Sequence, residues 1–232
     1  MEVLVIDIGG TSVKVYQGDA EPARFDSGPD LTPDIVVERT RAIAAGWKYD
    51  VVSIGYPGAA GKSTAVQEPG NLGGGWVGFD FEKAFGAPVR VVNDAALQAL
   101  GGYQGGRMLF VGLGTGVGSA LVADRVIVPL ELGCLRFDAK STLVDRLGRA
   151  ALRRDGHEAW QKAVTMAAAM LYDAFSADYL ILGGGNAARV DPLPPRTRRG
   201  SDEDAFKGGV RLWEEIVEPP GQARRHAWRL VK

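Results

Sequence analysis

The chain has 232 residues, 46% hydrophobic and 24% charged, and a net charge of −1, a balance that gives no electrostatic case for nucleic acid or an anionic membrane as partner. No apolar run reaches the ~20 residues of a membrane helix, and one cysteine, Cys134, excludes an internal disulfide and a multi-cysteine zinc site. The first residues have no signal-peptide architecture, so a reducing cytoplasm is the expected setting.

Residues 2–8 read as a strand and 13–16 as a second, a hairpin around Gly9-Gly10. Residues 33–46 have helical spacing behind the N-cap candidate Thr32. A buried strand is expected at 51–55, a loop at Pro57-Gly58, and a glycine-rich stretch at 67–78 that holds Asn71 and Trp76. A short helix follows at 79–85, then a strand at 89–92 ending in Asn93-Asp94, then a helix from Ala95. The rhythm repeats in the second half. Strands at 108–113 and 119–122 enclose glycines, 126–128 is a third strand, 160–175 an alanine-rich helix, and 179–182 a strand running into Gly183-Gly184-Gly185-Asn186. Residues 191–200, rich in proline and arginine, read as loop, 205–216 as helix, and the remainder as a basic, mobile tail.

Each half thus carries a glycine loop with a threonine after an apolar strand: Asp7-Ile8-Gly9-Gly10-Thr11, and Gly112-Leu113-Gly114-Thr115-Gly116-Val117-Gly118. Such turns bare N–H groups that take phosphate oxygens. Two of them point to two similar halves gripping one phosphate chain, although a tight hairpin turn also accounts for the first. Two other phosphate motifs fail. Gly58-Ala59-Ala60-Gly61-Lys62-Ser63 has Tyr56 where a P-loop needs its first glycine, and the loop at 112 puts Val117 at the third glycine of the dinucleotide fingerprint. Asp7, at the end of a buried strand, needs a partner or a cation, and magnesium on a phosphate would satisfy it. Asn93-Asp94 reads either as a helix N-cap or as a hydroxyl-gripping amide beside a general base. Glu131 alone reads as a solvated charge. Gly183-Gly184-Gly185 is either a plain turn or a surface against which a flat ring can lie.

In this order and spacing the motifs resemble the ROK sugar kinases of the actin-like ATPase superfamily, and within them the polyphosphate glucokinases and related bacterial glucokinases. Further pieces are Gly55-Tyr56-Pro57-Gly58, Asn71 with Trp76, Glu131-Leu132-Gly133, and the run from Ala205 to Trp213. The resemblance implies an α/β, two-lobed actin-like ATPase (ribonuclease H-like) fold with a mixed sheet in each lobe, residues 1–105 and 106–232, and a homodimer through the second lobe. It implies phosphoryl transfer from ATP or polyphosphate to the 6-hydroxyl of glucose or a related hexose. Asp94 would then be the catalytic base. Gly9, Gly10 and Thr11, with Gly114, Thr115 and Gly116, would be the phosphate loops. Asn71, Asn93, Asp94 and Glu131 would contact the sugar, Gly184 and Gly185 the nucleotide base, and Asp7 would hold magnesium through water.

The chain departs from the family in its sugar pocket. Cys134 stands where the family's Glu-x-Gly-His motif has histidine, no zinc loop follows, and a second sugar-facing glutamate has no clear match near Val144. A buried hydroxyl without its partner costs ~1–3 kcal/mol, so a different sugar, or a weakened sugar- or nucleotide-binding descendant, is the alternative. The family's repressors carry a DNA-binding domain before the first strand, which here starts at Glu2. Polyphosphate use would need a cationic track. Arg196, Arg198, Arg199, Arg224, Arg225 and Arg229 are candidates, against a solvated basic tail. Cys134 itself reads as an inert core residue, and His157 and His226 as solvated.

Overall fold

The computed structural model describes residues 1–18, 20–216 and 225–231; Arg224 of the expected cationic track lies outside them. In chain order the first half holds β1 (Val3–Ile8), β2 (Ser12–Gln17), β3 (Ala23–Asp26), α1 (Pro33–Ile43), β4 (Val51–Tyr56), α2 (Phe81–Phe85), β5 (Val89–Asn93) and α3 (Asp94–Gly102). The second holds β6 (Met108–Leu113), β7 (Val117–Ala123), β8 (Val126–Leu130), α4 (Leu143–Leu147), α5 (Arg149–Ala174), β9 (Tyr179–Gly183), β10 (Thr197–Arg199) and α6 (Asp204–Arg211). The two-residue strands β11 (Glu215–Ile216), β12 (Arg225–His226) and β13 (Arg229–Leu230) follow.

Two mixed sheets form, ordered β3-β2-β1-β4-β5 and β10-β9-β6-β7-β8-β13. Their plans match. From β1 an antiparallel meander runs out through β2 and β3, while β4 and β5 add in parallel on the other side. From β6 the meander is β7 and β8, and β9 and β10 add in parallel. The two similar halves expected from the glycine loops are therefore two copies of one topology.

Strand alternation sorts the side chains between layers. On β1, Leu4, Ile6 and Ile8 pack outward with Val36 and Val37 of α1 and Phe81 and Phe85 of α2. Val3 and Val5 point inward, to a core built on Ala95, Leu97 and Leu100 of α3 and Ala205 of α6. From the other side Met108, Phe110 and Ile181 close that central core. Leu109, Val111 and Leu180 face an outer core under Trp160, Val164 and Leu171 of α5. The sheets thus sandwich α3 and α6, and the crossing of these two helices is backbone to backbone.

Several elements differ from expectation. Thr32 caps α1, accepting from Ile35 N, and Pro33 opens the helix, as read. The short α4 was not expected. It is set by a capping box between Thr142 and Asp145. α5 starts at Arg149 rather than 160 and breaks at Gly156 (φ 78°); that glycine masked the helical period upstream. α6 ends at Arg211, short of 216. β3 and β10 were not expected either. β10 is three residues long and exists because its backbone pairs with β9, not because Thr-Arg-Arg favours a strand.

The described tail is not loose, since Arg229 and Leu230 pair with Val126 and Ile127. Among the described residues the expected arginine track does not form. Arg198 and Arg199 lie on β10 and Arg229 on β13, opposite edges of a six-stranded sheet, five strand spacings or roughly 24 Å apart. Arg196 and Arg198 are stacked on the rings of Tyr172 and Tyr179. Among the described residues, no helix is long and apolar enough to cross a membrane.

Candidate active site

The parallel strands β1, β4 and β5 end side by side, with Asp7 opposite Gly55, Gly55 opposite Val92, and Tyr56 opposite Asn93. Ligands of open α/β sheets sit outside such carboxyl ends. Here a cleft of about 700 Å³ opens there, and the ends of β6 and β9 form its other wall. Every residue to which the resemblance assigns a role lines it: Asp7, Gly9, Gly10 and Thr11; Asn71; Asn93 and Asp94; Gly114, Thr115 and Gly116; Glu131; Gly184 and Gly185. The glycine loops approach closely. A Cβ on Gly10 would stand 2.7 Å from Asn71 Nδ2 and 3.7 Å from Thr115 Oγ1.

Asp7 shares the inward parity of Val3 and Val5, so its carboxylate is buried at the cleft floor. Its Oδ1 has no hydrogen-bond partner. Burial pushes its pKa up to about 6, against the pull of Lys14. Asp94 is the first residue of α3, and its Oδ1 accepts from Ala95 N at 2.8 Å. Burial, then the Asp7 charge, raise it to about 7; the Ala95 N–H opposes this, and Glu131 adds a smaller upward push. Gly55 keeps the gap between the two carboxylates open, because a Cβ there would lie 3.1 Å from Asp7 Oδ1 and 3.4 Å from Asp94 Cα.

Asn93 is the N-cap of α3, its Oδ1 accepting from Ala95 N at 3.0 Å and Ala96 N at 3.2 Å. The capping alternative therefore holds for its oxygen. Its amide donates to Gly58 O at a loose 3.4 Å and stays available to a ligand. Asn71 is exposed on a loop that Trp76 anchors. That indole is fully buried beside Tyr56 and Phe81, and its Nε1 donates to Gly73 O. Glu68 ties the same loop by accepting from Trp76 N and Val77 N. Glu131 is exposed before a 3-10 turn, Leu132–Cys134, held by Ser119, whose hydroxyl donates to Leu130 O and accepts from Leu132 N. Cys134 is exposed rather than a core residue, and it is not among the cleft-lining residues. Its thiol donates to Glu131 O. His157 and His226 are exposed as expected, and each makes a contact, with Arg189 O and Arg90 respectively.

The cleft holds three cations, Lys14, Arg149 and Arg199; sequence reasoning missed the first two and placed Arg199 on a track outside the cleft. Lys14 was findable, since the Gly9-Gly10 hairpin sets it directly across from Asp7. Arg149 has no local signal. Its backbone N donates to Gly114 O at 2.9 Å, and its guanidinium reaches Thr11 Oγ1 at 3.1 Å, 138 residues away in sequence. The lining carries five carboxylates (Asp7, Asp94, Glu131, Asp202, Asp204) against those three cations. A phosphate chain entering such a cleft needs added positive charge. The orphaned Asp7 oxygen and this acidic surplus fit a hydrated divalent cation, which Asp7 would hold.

No protein-family model matches the chain. The polyphosphate glucokinase of Mycobacterium leprae is 27% identical over 215 residues, which cover 82% of this chain but only 65% of that enzyme. Among solved structures, the inorganic polyphosphate/ATP-glucomannokinase of Arthrobacter sp. strain KM is 26% identical, with a TM-score of 0.76 over 90% of this chain and 96% of that one. A ROK family glucokinase from Streptomyces griseus, solved with glucose and AMPPNP, aligns at 16% identity with a TM-score of 0.71 over 91% and 99%. The chain is similar to the polyphosphate glucokinases and shares the fold of ROK family sugar kinases. Its fold is the two-lobed, actin-like ATPase fold of those proteins, as the motif order implied. The meander-plus-parallel plan repeated in each sheet is the substance of that likeness.

Proposed function

We propose that the protein is a sugar kinase that transfers a phosphoryl group from ATP or polyphosphate to the 6-hydroxyl of glucose or a related hexose. The observation that carries this reading is the pairing of Asp94 with Asp7 on one cleft floor beneath two facing glycine loops. Phosphoryl transfer asks for positioning and charge neutralisation more than for covalent chemistry, and these groups supply both.

Asp94, with a pKa near neutrality, takes the proton from the sugar hydroxyl. The freed oxygen attacks the terminal phosphorus, and the bond from that phosphorus to the rest of the donor breaks, leaving ADP or a polyphosphate one unit shorter. The N–H groups around Gly9-Gly10-Thr11 and Gly114-Thr115-Gly116 hold phosphate oxygens from opposite sides. Asn71, the Asn93 amide and Glu131 hold sugar hydroxyls. Asp7 would hold magnesium, which when bound neutralises charge on the donor phosphates. A coupled glucose-phosphorylation assay with magnesium, run with ATP and with polyphosphate in parallel, tests the reading. Turnover supports it and names the donor; no turnover with glucose or any other hexose would sink it.

Two variants refine it. Nothing lies within 4 Å of where a Cβ would stand on Gly185, so Gly185→Leu is expected to fold and to fill the face offered to a nucleotide base. The KM for ATP should then rise at least ~10-fold with the KM for polyphosphate unchanged, read from parallel donor titrations. Cys134 lies outside the cleft lining but on the 3-10 turn that follows the lining residue Glu131, and Cys134→His puts there a longer polar side chain that can extend toward it. It is expected to lower the glucose KM about 10-fold; an unchanged KM would favour another hexose as substrate.

A further inference from the structure

The three cations of the cleft are not equivalent. Lys14 Nζ is neutralised by Asp202 at 3.2 Å. The Arg199 guanidinium donates to two carbonyls, Ala187 O at 3.3 Å and Val190 O at 2.7 Å. Arg149 has the Thr11 hydroxyl as its one side-chain contact among the described residues, a neutral partner that leaves most of its five donors and its full charge unmatched. That unmatched charge stands between the two glycine loops, tied to the first by its side chain and to the second by its backbone.

We propose that Arg149 is a donor-phosphate ligand, a cation that the second lobe extends across the cleft to the phosphate oxygens gripped by both loops. The inference rests on the kinase reading above and adds to it a residue that no motif marks. An arginine suits the place because its planar fork takes two oxygens at once, where a lysine offers a point charge. Its link to Thr11 keeps the guanidinium beside the first glycine loop, so its loss should affect donor and not sugar.

The test is Arg149→Ala and Arg149→Lys, each compared with the wild type by steady-state kinetics. The expected result for Arg149→Ala is a loss of roughly 100-fold or more in kcat/KM for the donor, with the glucose KM within about 2-fold and the Tm unchanged. Arg149→Lys should recover part of the loss, and added guanidinium ion should restore turnover in Arg149→Ala but not in the wild type. A merely structural arginine would shift glucose KM and Tm together and show no rescue. Calorimetric titration with inorganic tripolyphosphate and magnesium gives a second readout that needs no turnover. Binding by the wild type at least ~10-fold tighter than by Arg149→Ala supports the inference; equal binding, or none by the wild type, overturns it. A wild type that binds tripolyphosphate through Arg149 yet phosphorylates no hexose would fell the kinase reading alone.

Discussion

Asp94→Asn is expected to cut turnover by about 10²–10⁴-fold, the usual contribution of a positioned base, without unfolding the protein. The amide keeps the shape of the side chain and can still accept from Ala95 N, so α3 keeps its first turn. What it loses is the ability to take a proton. The same substitution should change stability in the opposite direction. In the folded chain burial and the Asp7 charge hold the Asp94 carboxyl at about 7, against 3.8 for a free one. A group that binds its proton more tightly when folded favours folding at low pH and opposes it as the pH rises from about 4 through 7. Removing it should therefore raise stability at pH 8 by on the order of 1–3 kcal/mol, a gain that vanishes near pH 4. Thermal melts of both proteins at the two pH values check the sign, while the coupled assay checks the activity. A variant that is active, or less stable at pH 8, would contradict the assignment of Asp94 as a half-buried base with a raised pKa.

Gly208→Ala should be among the most damaging added methyl groups at the described glycines. A Cβ on Gly208 would stand 1.8 Å from Leu97 O, and one on Gly101 would stand 1.8 Å from Asp204 O. Both obstacles are backbone, so they yield only if α3 and α6 separate. Those helices fill the core between the sheets, and α6 also holds the first lobe: Ser53 Oγ donates to Gly209 O at 2.7 Å and accepts from Trp213 Nε1 at 2.9 Å. In an ordinary helix glycine to alanine gains about 0.5–1 kcal/mol. Here overpacking reverses the sign, and a loss of about 3 kcal/mol or more is expected, a fall in Tm of roughly 10 °C. Gly74→Ala, where a Cβ meets nothing within 4 Å, is the control and should melt as the wild type does. Equal melting of the two variants would show that the crossing is looser than its geometry.

The acidic surplus of the cleft connects these results to function. The Asp7 charge raises the proton affinity of Asp94, an arrangement that a cation on Asp7 would relieve. The fold is stabilised elsewhere, in three packed cores, and its costly carboxylates are gathered in the cleft. The same separation explains why Trp76 and Asn71, neighbours in one motif, have different parts. The indole is wholly buried and holds the loop, and the amide is exposed and faces the cleft.

Much of the site was legible because its signals are local. A glycine loop after an apolar strand needs only neighbouring residues to be recognised, and so Asp7, Thr11, Asp94 and Thr115 could be named from the chain alone, together with the division into two similar halves. Other features depend on residues distant in sequence. All six residues of β1 are buried, so its hydrophobic pattern has no alternation to say which side faces the partner lobe; only the second sheet, packing over α3 and α6, makes Val3, Val5 and Asp7 the inner row. β10 exists only through its pairing with β9, and the arginines expected to form one track were separated by the strand order. Arg149 entered the cleft through a bond spanning 138 residues. The two glycine loops, the carboxylates beside them and the repeated plan could be read from the chain, since short-range backbone geometry and burial encode them. The tertiary structure alone decided which strand face lines the cleft and which cation reaches across it, because both follow from how two sheets close on one pair of helices.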